Sequence, residues 1–479
     1  MGWPTVDGNR TTTRLGENFI LCSPHNNQVI TCYPPGVDRV FRDEKNWSQP
    51  KEQSQLFAVY GENVLSTQGS DWLRHRKITA SAFNENTVPE VWKESVKRAT
   101  ALSLADQSDL TLGGARSTFD VLAMQVLAVV GFGQDMSWTS VPPGHQESLM
   151  QSLGFILQHI TLTILFSGLK APDFLLPGVL RRLKVSFAEF KLYMEESVLH
   201  HIRLSHTSKS QPRSSLLGAM VRANEVEKKQ LNKSTSHRSY LTDSELYGNI
   251  FVFNVAGYET TAATMTFALT FLATNQDIQN WVIEEVDKYY TNSTDHDYAT
   301  TYPKLVRCLA SMYEALRLAS PGPLLLRSPS VPQEVPIITP SGETSLTVNP
   351  GTLVGAHLYG AHLSPRWGPD ATSFNPKRFI STSAAGDEMF VLSEDALFAS
   401  WMFGPRVCPG KKFSQVEFVG AVAQVLSEYR VEILRQDGES ETAARSRLMG
   451  VLDEKFFNVS AHLRRPEDAG IRFVRRGVK

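Results

Sequence analysis

From Thr242 to about Thr274 nothing interrupts a helical pattern, which at 1.5 Å per residue predicts an element roughly 50 Å long that must cross the whole molecule. Its start is marked by Thr242-Asp243-Ser244-Glu245, a capping box in which the Thr242 hydroxyl and the Glu245 carboxylate satisfy the first free N–H groups. Phe413 to Leu426 (FSQVEFVGAVAQVL) has the periodicity of a second, buried helix, and helical patterns also fill about Asp71 to His200. Two short apolar runs around Ser-Pro-His-Asn-Asn, Asn18 to Cys32, predict a β-hairpin. A further extended region runs from Pro321 to about Gly360, where β-branched residues alternate with Pro/Gly turns. The expected fold is mainly α with a smaller β-rich portion at about residues 18–35 and 321–360, in a single domain 1–479 without internal repeats.

The polar patches Ser205 to Ser215 and Glu227 to Ser239 read as exposed loops. The longest apolar stretch, Phe155 to Leu169, contains Gln158 and His159 and falls short of the roughly 20 residues a membrane span requires, so it reads as a core helix or a membrane-dipping surface. Ala171 to Leu180 sets Phe and Leu between two prolines, which suits a loop touching a bilayer.

A net charge of −1 over 479 residues nominates neither nucleic acid nor an acidic partner. Four cysteines without a C-x-x-C pair exclude a disulfide scaffold and a four-ligand zinc site, and point to a reducing compartment.

Five stretches carry candidate chemistry. Cys408 lies in Gly404-Pro405-Arg406-Val407-Cys408-Pro409-Gly410, ahead of the helix at 413, where the helix N-terminus and Arg406 favour a thiolate; the alternative is a small buried hydrophobe. Inside the long helix, Ala256-Gly257-Tyr258-Glu259-Thr260-Thr261 removes bulk on the face that carries Thr260. A mid-helix glycine costs about 1 kcal/mol, which either a ligand-sized notch with a hydroxyl and a carboxylate or close helix packing would offset. Glu314 and Arg317 stand one helical turn apart, and Arg378 follows in Phe374-Asn375-Pro376-Lys377-Arg378-Phe379; alone, such a pair is an ordinary surface ion pair. Trp72 and Arg76 offer two donors one turn apart, suited to an anion or simply part of a basic helix.

In this order the five elements resemble the cytochrome P450 family of haem-thiolate monooxygenases across essentially the whole chain, and stretches such as Tyr60 to Phe83 resemble microsomal members from filamentous fungi. The resemblance implies haem b, held between the long helix and the cysteine loop, with Cys408 as its axial thiolate and Gly404 and Gly410 admitting the porphyrin. It implies Trp72, Arg76, Arg327 and Arg406 as binders of the propionates, Arg327 by its offset after the E-x-x-R helix. Glu314, Arg317 and Arg378 become a buried structural network. Thr260 and Glu259, beside the groove at Ala256 and Gly257, become the hydroxyl that contacts dioxygen and the acid that delivers protons.

The implied reaction hydroxylates or epoxidises an apolar small molecule with O2, in fungal secondary metabolism; an isomerase or dehydratase working without a reductase is the alternative, against which the Glu259 and Thr260 pair argues. The implied partners are an NADPH-dependent flavoprotein reductase, with a cytochrome b-type protein as a second donor, and a membrane surface; no nucleic acid is implied, and the chain is expected to be a monomer. The basic residues Arg74, His75, Lys77, Lys411 and Lys412 are the expected reductase-docking cluster. Expected pocket residues are Phe251, Val252 and Val255, Pro323 to Leu325, and 53–66. The family's full-length form sits on the cytoplasmic face of the endoplasmic reticulum, and the chain is expected to lack the N-terminal anchor. One departure stands beside the cysteine, where Trp401 occupies a position that is usually phenylalanine in the family.

Overall fold

The structure, a computed structural model, describes residues 2–24, 27–101, 109–131, 133, 140–160, 162–163, 172, 174, 176–207, 215–231, 238–291, 296–458 and 460–477. It divides into two compact units, Met1–Pro50, Val91–Ala123 and Glu259–Lys479 in the first, and Lys51–Glu90 and Met124–Tyr258 in the second. Five helices position the candidate site: α1 (Gly69–Ala80), α2 (Leu112–Val126), α3 (Asp243–Thr274), α4 (Val306–Leu318) and α5 (Lys411–Glu428).

The second unit is helical and is organised around the start of α3. Thr242 and Glu245 close the expected capping box, Glu245 accepting from the Thr242 amide at 2.7 Å while its own amide donates to Thr242 Oγ1 at 3.2 Å. The same carboxylate takes a bidentate bond from Arg74 of α1, at 2.7 and 2.9 Å. Burial alone would raise the Glu245 pKa, but the hydrogen bonds from Arg74 and the Thr242 backbone outweigh it and hold the carboxyl at about 2. His75 is fully buried beside it, its Nδ1 accepting from the Asn249 amide at 2.9 Å.

This overturns part of the expected docking cluster. Arg74 and His75 staple α1 to α3 from within the unit, whereas Lys77, paired with Glu227 at 2.6 Å, keeps its side chain exposed. A charged side chain near the surface in sequence is spent here on an interior carboxylate, which its neighbours in sequence do not reveal.

The polar patch from Glu227 is also not all loop, because a helix over Leu216–Leu231 runs into it; residues 208–214 and 232–237 lie outside the described residues. The apolar stretch from Phe155 starts inside a helix, Leu149–Gln158, capped by Ser148 and Gln151 and burying Leu153, Ile156 and Leu157; residues 161 and 164–170 lie outside the described residues. Of the loop after it, Phe174 is described and is 82% exposed, whereas residues 171, 173 and 175 lie outside the described residues. Among the described residues no helix is long and apolar enough to cross a membrane.

The first unit holds the strands: β1 (Asn18–Cys22), β2 (Asn27–Thr31), β3 (Trp47–Ser48), β4 (Asp109–Thr111), β5 (Leu324–Pro329), β6 (Gln333–Thr339), β7 (Gly342–Val348), β8 (Leu353–His357), β9 (Ile380–Thr382), β10 (Glu388–Phe390), β11 (Tyr429–Ile433), β12 (Lys455–Phe457), β13 (Ala461–Leu463) and β14 (Gly470–Arg475). The expected hairpin is β1 against β2, antiparallel from Asn18↔Thr31 to Cys22↔Asn27. It becomes the edge of a five-stranded sheet, β1-β2-β8-β5-β3, through a parallel β2–β8 ladder. Further strands lie beyond the expected β-rich spans, notably β11-β14-β4 and the hairpin of β12 and β13.

α4 and α5 form the core of this unit. Tyr313 of α4 gathers Phe379, Phe390, Phe398 and Trp401 around its ring at 4.4 to 5.6 Å, and Gln415 of α5 donates to its hydroxyl at 2.8 Å.

Candidate active site

The cysteine loop is set by backbone geometry before any side chain acts. Gly404 has φ +72, and a Cβ built on it would lie 3.0 Å from the Phe41 carbonyl oxygen, so only glycine fits there. Gly410, at φ −81, caps the start of α5 in a conformation open to any residue. Met402, at φ 58, is the one non-glycine in the left-handed region among the described residues, a local strain of about 1–2 kcal/mol next to the loop. The Cys408 amide donates to the Trp401 carbonyl at 2.9 Å, which ties the loop closed, and the thiol is exposed. Trp401 itself is anchored by its indole N–H to Ser414 Oγ at 3.1 Å, and Lys411 lies over its ring at 5.7 Å.

Beside this loop the first unit buries Arg327 at 4% exposure. It donates to the carbonyl of its neighbour Leu326 at 2.9 Å, lies 4.7 Å from the Phe41 ring centre, and pairs with no carboxylate among the described residues. Burial, and secondly the charge of Arg406, push its pKa down to about 9. Arg406 has partners of its own, Glu44 at 3.0 Å and Gln49 at 3.2 Å.

The E-x-x-R pair is no surface pair. Arg317 grips Glu314 through two bonds of 2.7 Å, and Arg378 reaches the same carboxylate at 3.1 Å. Arg317 also donates to the His362 carbonyl at 2.6 Å, and both members of the pair are fully buried. Conversely, Trp72 and Arg76 lie in the second unit on α1, Trp72 buried and Arg76 half-buried.

On α3 the exposure pattern singles out one face. From residue 248 to 274 every position is buried except Phe253, Ala256, Gly257 and Thr260, whose spacing of three and four places them in one stripe. Ala256 is exposed in the middle of an otherwise interior helix. Gly257 serves close packing, since a Cβ there would meet Leu127 at 3.2 and 3.5 Å. The expected pocket residues Phe251, Val252 and Val255 face the interior instead, Phe251 packing on Tyr60 and Phe190. Glu259, next to the stripe, is 5% exposed, and its Oε1 accepts from Ser460 at 3.1 Å and from His462 Nε2 at 2.9 Å. Sequence reasoning missed Ser460 and His462, because two hundred residues separate them from Glu259.

The sequence model described as Cytochrome P450 matches residues 9–457. The chain belongs to the cytochrome P450 family. Similar curated members include cytochrome P450 monooxygenase 124 of Postia placenta, 28% identical over 88% of this chain and 78% of its own length. The monooxygenase prx9 of Penicillium rubens is 26% identical over 90% of this chain and 78% of its own length. The phomenoic acid biosynthesis cluster cytochrome P450 monooxygenase of Leptosphaeria maculans is 27% identical over 94% of this chain and 80% of its own length. The crystal structure of the cytochrome P450 CYP102L1 superposes with a TM-score of 0.68 over 98% of this chain and 93% of that one, at 20% identity, and shares the fold.

As a P450 monooxygenase the protein is a haem enzyme. The residues present fit that cofactor: an exposed thiol on a constrained loop supplies a soft ligand, and a buried guanidinium that pairs directly with no carboxylate among the described residues suits a propionate.

Proposed function

We propose that this P450 oxidises a C–H bond or an alkene of an apolar small molecule, with electrons from an NADPH-dependent reductase, in a fungal secondary-metabolic route. The observation that carries this reading is the open stripe Phe253, Ala256, Gly257 and Thr260 on an otherwise buried helix, with a buried carboxylate one residue from the hydroxyl. Exposed Ala256, bordered by Phe253, offers an apolar surface that binds by shape and apolar contact, while Gly257 is closed off by Leu127. The secondary-metabolic setting is supported by the name of the Leptosphaeria relative, which belongs to a biosynthesis cluster.

In this reading Cys408 would hold the haem iron, and Arg327, Arg406, Trp72 and Arg76 would bind the propionates. When bound, the haem supplies dioxygen activation, which consumes two electrons and two protons per oxygen atom inserted. The chain's own residues do the rest. The Cys408 amide bond to Trp401 and the Trp401 bond to Ser414 fix the sulfur's position. Thr260 presents a hydroxyl at the stripe, and Glu259 holds the proton that this hydroxyl passes on. Membrane attachment at the endoplasmic reticulum belongs to the same reading, with the exposed Phe174 as a candidate contact.

The test is reconstitution with an NADPH-dependent reductase and a panel of apolar terpenoid, polyketide and fatty-acyl compounds. A spin-state shift on binding, followed by NADPH-dependent oxygen insertion, is expected. Product formed by rearrangement of an oxygenated substrate without reductase would establish the isomerase reading instead. In the Thr260→Ala variant haem is retained while electrons are diverted to peroxide; fully coupled oxidation by that variant would remove the hydroxyl from the mechanism.

A further inference from the structure

Glu259 is held by groups that no P450 motif in the sequence contains. Its Oε1 accepts from Ser460 at 3.1 Å and His462 Nε2 at 2.9 Å, and Arg116 of α2 stands 3.9 Å away. Its Oε2 is buried and has no hydrogen-bond partner among the described residues. A buried carboxylate oxygen without a partner is costly, and calls for a reason beyond packing.

His462 stands on the other side of this carboxylate. It lies on β13 across from Phe456 of β12, its ring stacked on that phenylalanine at 5.4 Å and 26°. The His462 side chain keeps 24% of its surface exposed, against 7% for Glu259. It also lines a cavity of about 320 Å³ in the first unit, together with Arg116, Thr266, Phe267, Phe456 and Arg464. Its wall includes exposed Phe456 and Arg464, so the cavity reaches the surface. The ring therefore has a buried acid on one side and, on the other, a surface-connected cavity whose largely apolar wall carries the polar groups of Arg116, Thr266 and Arg464. Among the described residues, Arg464 on the cavity wall and Arg116 and Asp120 of α2, paired with each other at 2.7 Å, also stand near it.

We propose that His462 conducts protons from the cavity to Glu259, with Ser460 and Arg116 as positioning residues that hold the carboxylate. A hydrated proton from the cavity adds to Nδ1, the Nε2–H proton moves to Glu259 Oε1, and the starting tautomer returns when the ring turns so that Nδ1–H is given up to cavity water and Nε2 takes one proton from it. Each cycle adds one proton to Glu259 and removes one from bulk water, with no change in electrons. The inference rests on the reading that Glu259 supplies protons to the reaction.

Three haem-loaded variants, matched for thiolate-ligated haem, separate the possibilities: His462→Gln, which keeps an N–H donor to Glu259 but cannot relay a proton, His462→Phe, and Glu259→Gln. The expected result is a several-fold fall in coupled turnover and a larger solvent deuterium isotope effect in both His462 variants. Wild-type behaviour of His462→Gln beside an impaired His462→Phe would reduce His462 to a positioning residue and overturn the proposal. So would wild-type behaviour of both His462 variants beside an impaired Glu259→Gln. Unchanged coupling in Glu259→Gln would instead remove the underlying reading of the acid. A readout independent of turnover is the ring tautomer in the resting wild-type holoenzyme, from long-range proton–nitrogen NMR. The Nε2–H form, with Nδ1 in exchange with solvent, is expected; a static Nδ1–H form would overturn the relay.

Discussion

The amide of Cys408 donates to the carbonyl of Trp401 at 2.9 Å, and the indole of Trp401 is itself pinned to Ser414 Oγ at 3.1 Å. The first bond belongs to the backbone and survives any side chain at 401; the second does not. Trp401→Phe is therefore expected to keep a thiolate-ligated haem at a cost of about 1 kcal/mol, the net worth of one hydrogen bond. Trp401→Ala also leaves a cavity against Tyr313 and Phe398, and is expected to cost about 3–5 kcal/mol. The carbon monoxide difference spectrum of the reduced protein, with thermal unfolding, distinguishes the two.

Glu314 answers two guanidiniums at once, those of Arg317 and Arg378. Removing one partner strands buried charge, so Glu314→Gln is expected to destabilise by about 3–5 kcal/mol. Denaturant unfolding measures this, and a loss below 1 kcal/mol would show the network to be dispensable.

Arg327 costs the folded chain free energy whenever no anion meets it, because burial disfavours its charged form. Arg327→Leu is expected to raise the unfolding midpoint of the haem-free protein while lowering its affinity for haem. Haem titration paired with thermal melts of both forms checks both signs; a fall in both would mean the guanidinium is structural.

His362 sits behind the same network, its Nε2 accepting from the Ala399 amide at 3.1 Å. Burial, and secondly the charge of Arg317, lower its pKa to about 3. The unfolded chain then binds a proton in the range from about 6.5 down to about 3 that the folded chain does not, so stability falls as pH falls through that range. The stability difference between wild type and His362→Gln is expected to be constant above pH about 6.5 and to decline by about 1.4 kcal/mol per pH unit below it. Chemical unfolding of the two proteins across pH 4 to 8 reads this directly.

Local rules made much of the molecule legible in the sequence. The capping box at Thr242, the length of α3, the β1–β2 hairpin and the helix after the cysteine all depend on neighbours within a few residues, and the structure contains them. Single motifs likewise singled out Cys408, Thr260 and the Glu314 to Arg317 pair as candidates, and their roles came from the family resemblance that the motifs carry together.

Tertiary structure decided what those residues meet. Whether Glu314 and Arg317 form a surface pair or a buried network depended on Arg378 and the 3-10 turn Pro376–Phe379 that carries it, some sixty residues away. Arg74 and His75 left the expected docking surface because Glu245 and Asn249 lie across from them. Glu259 acquired Ser460 and His462 only when the β12–β13 hairpin came to lie beside α3. Sequence by itself determines propensity, periodicity and the chemistry of single side chains, since these are local. Burial and pairing arise from chain segments far apart in sequence, so the exposed stripe on α3, the buried guanidinium of Arg327 and the partners of Glu259 exist only in the folded protein.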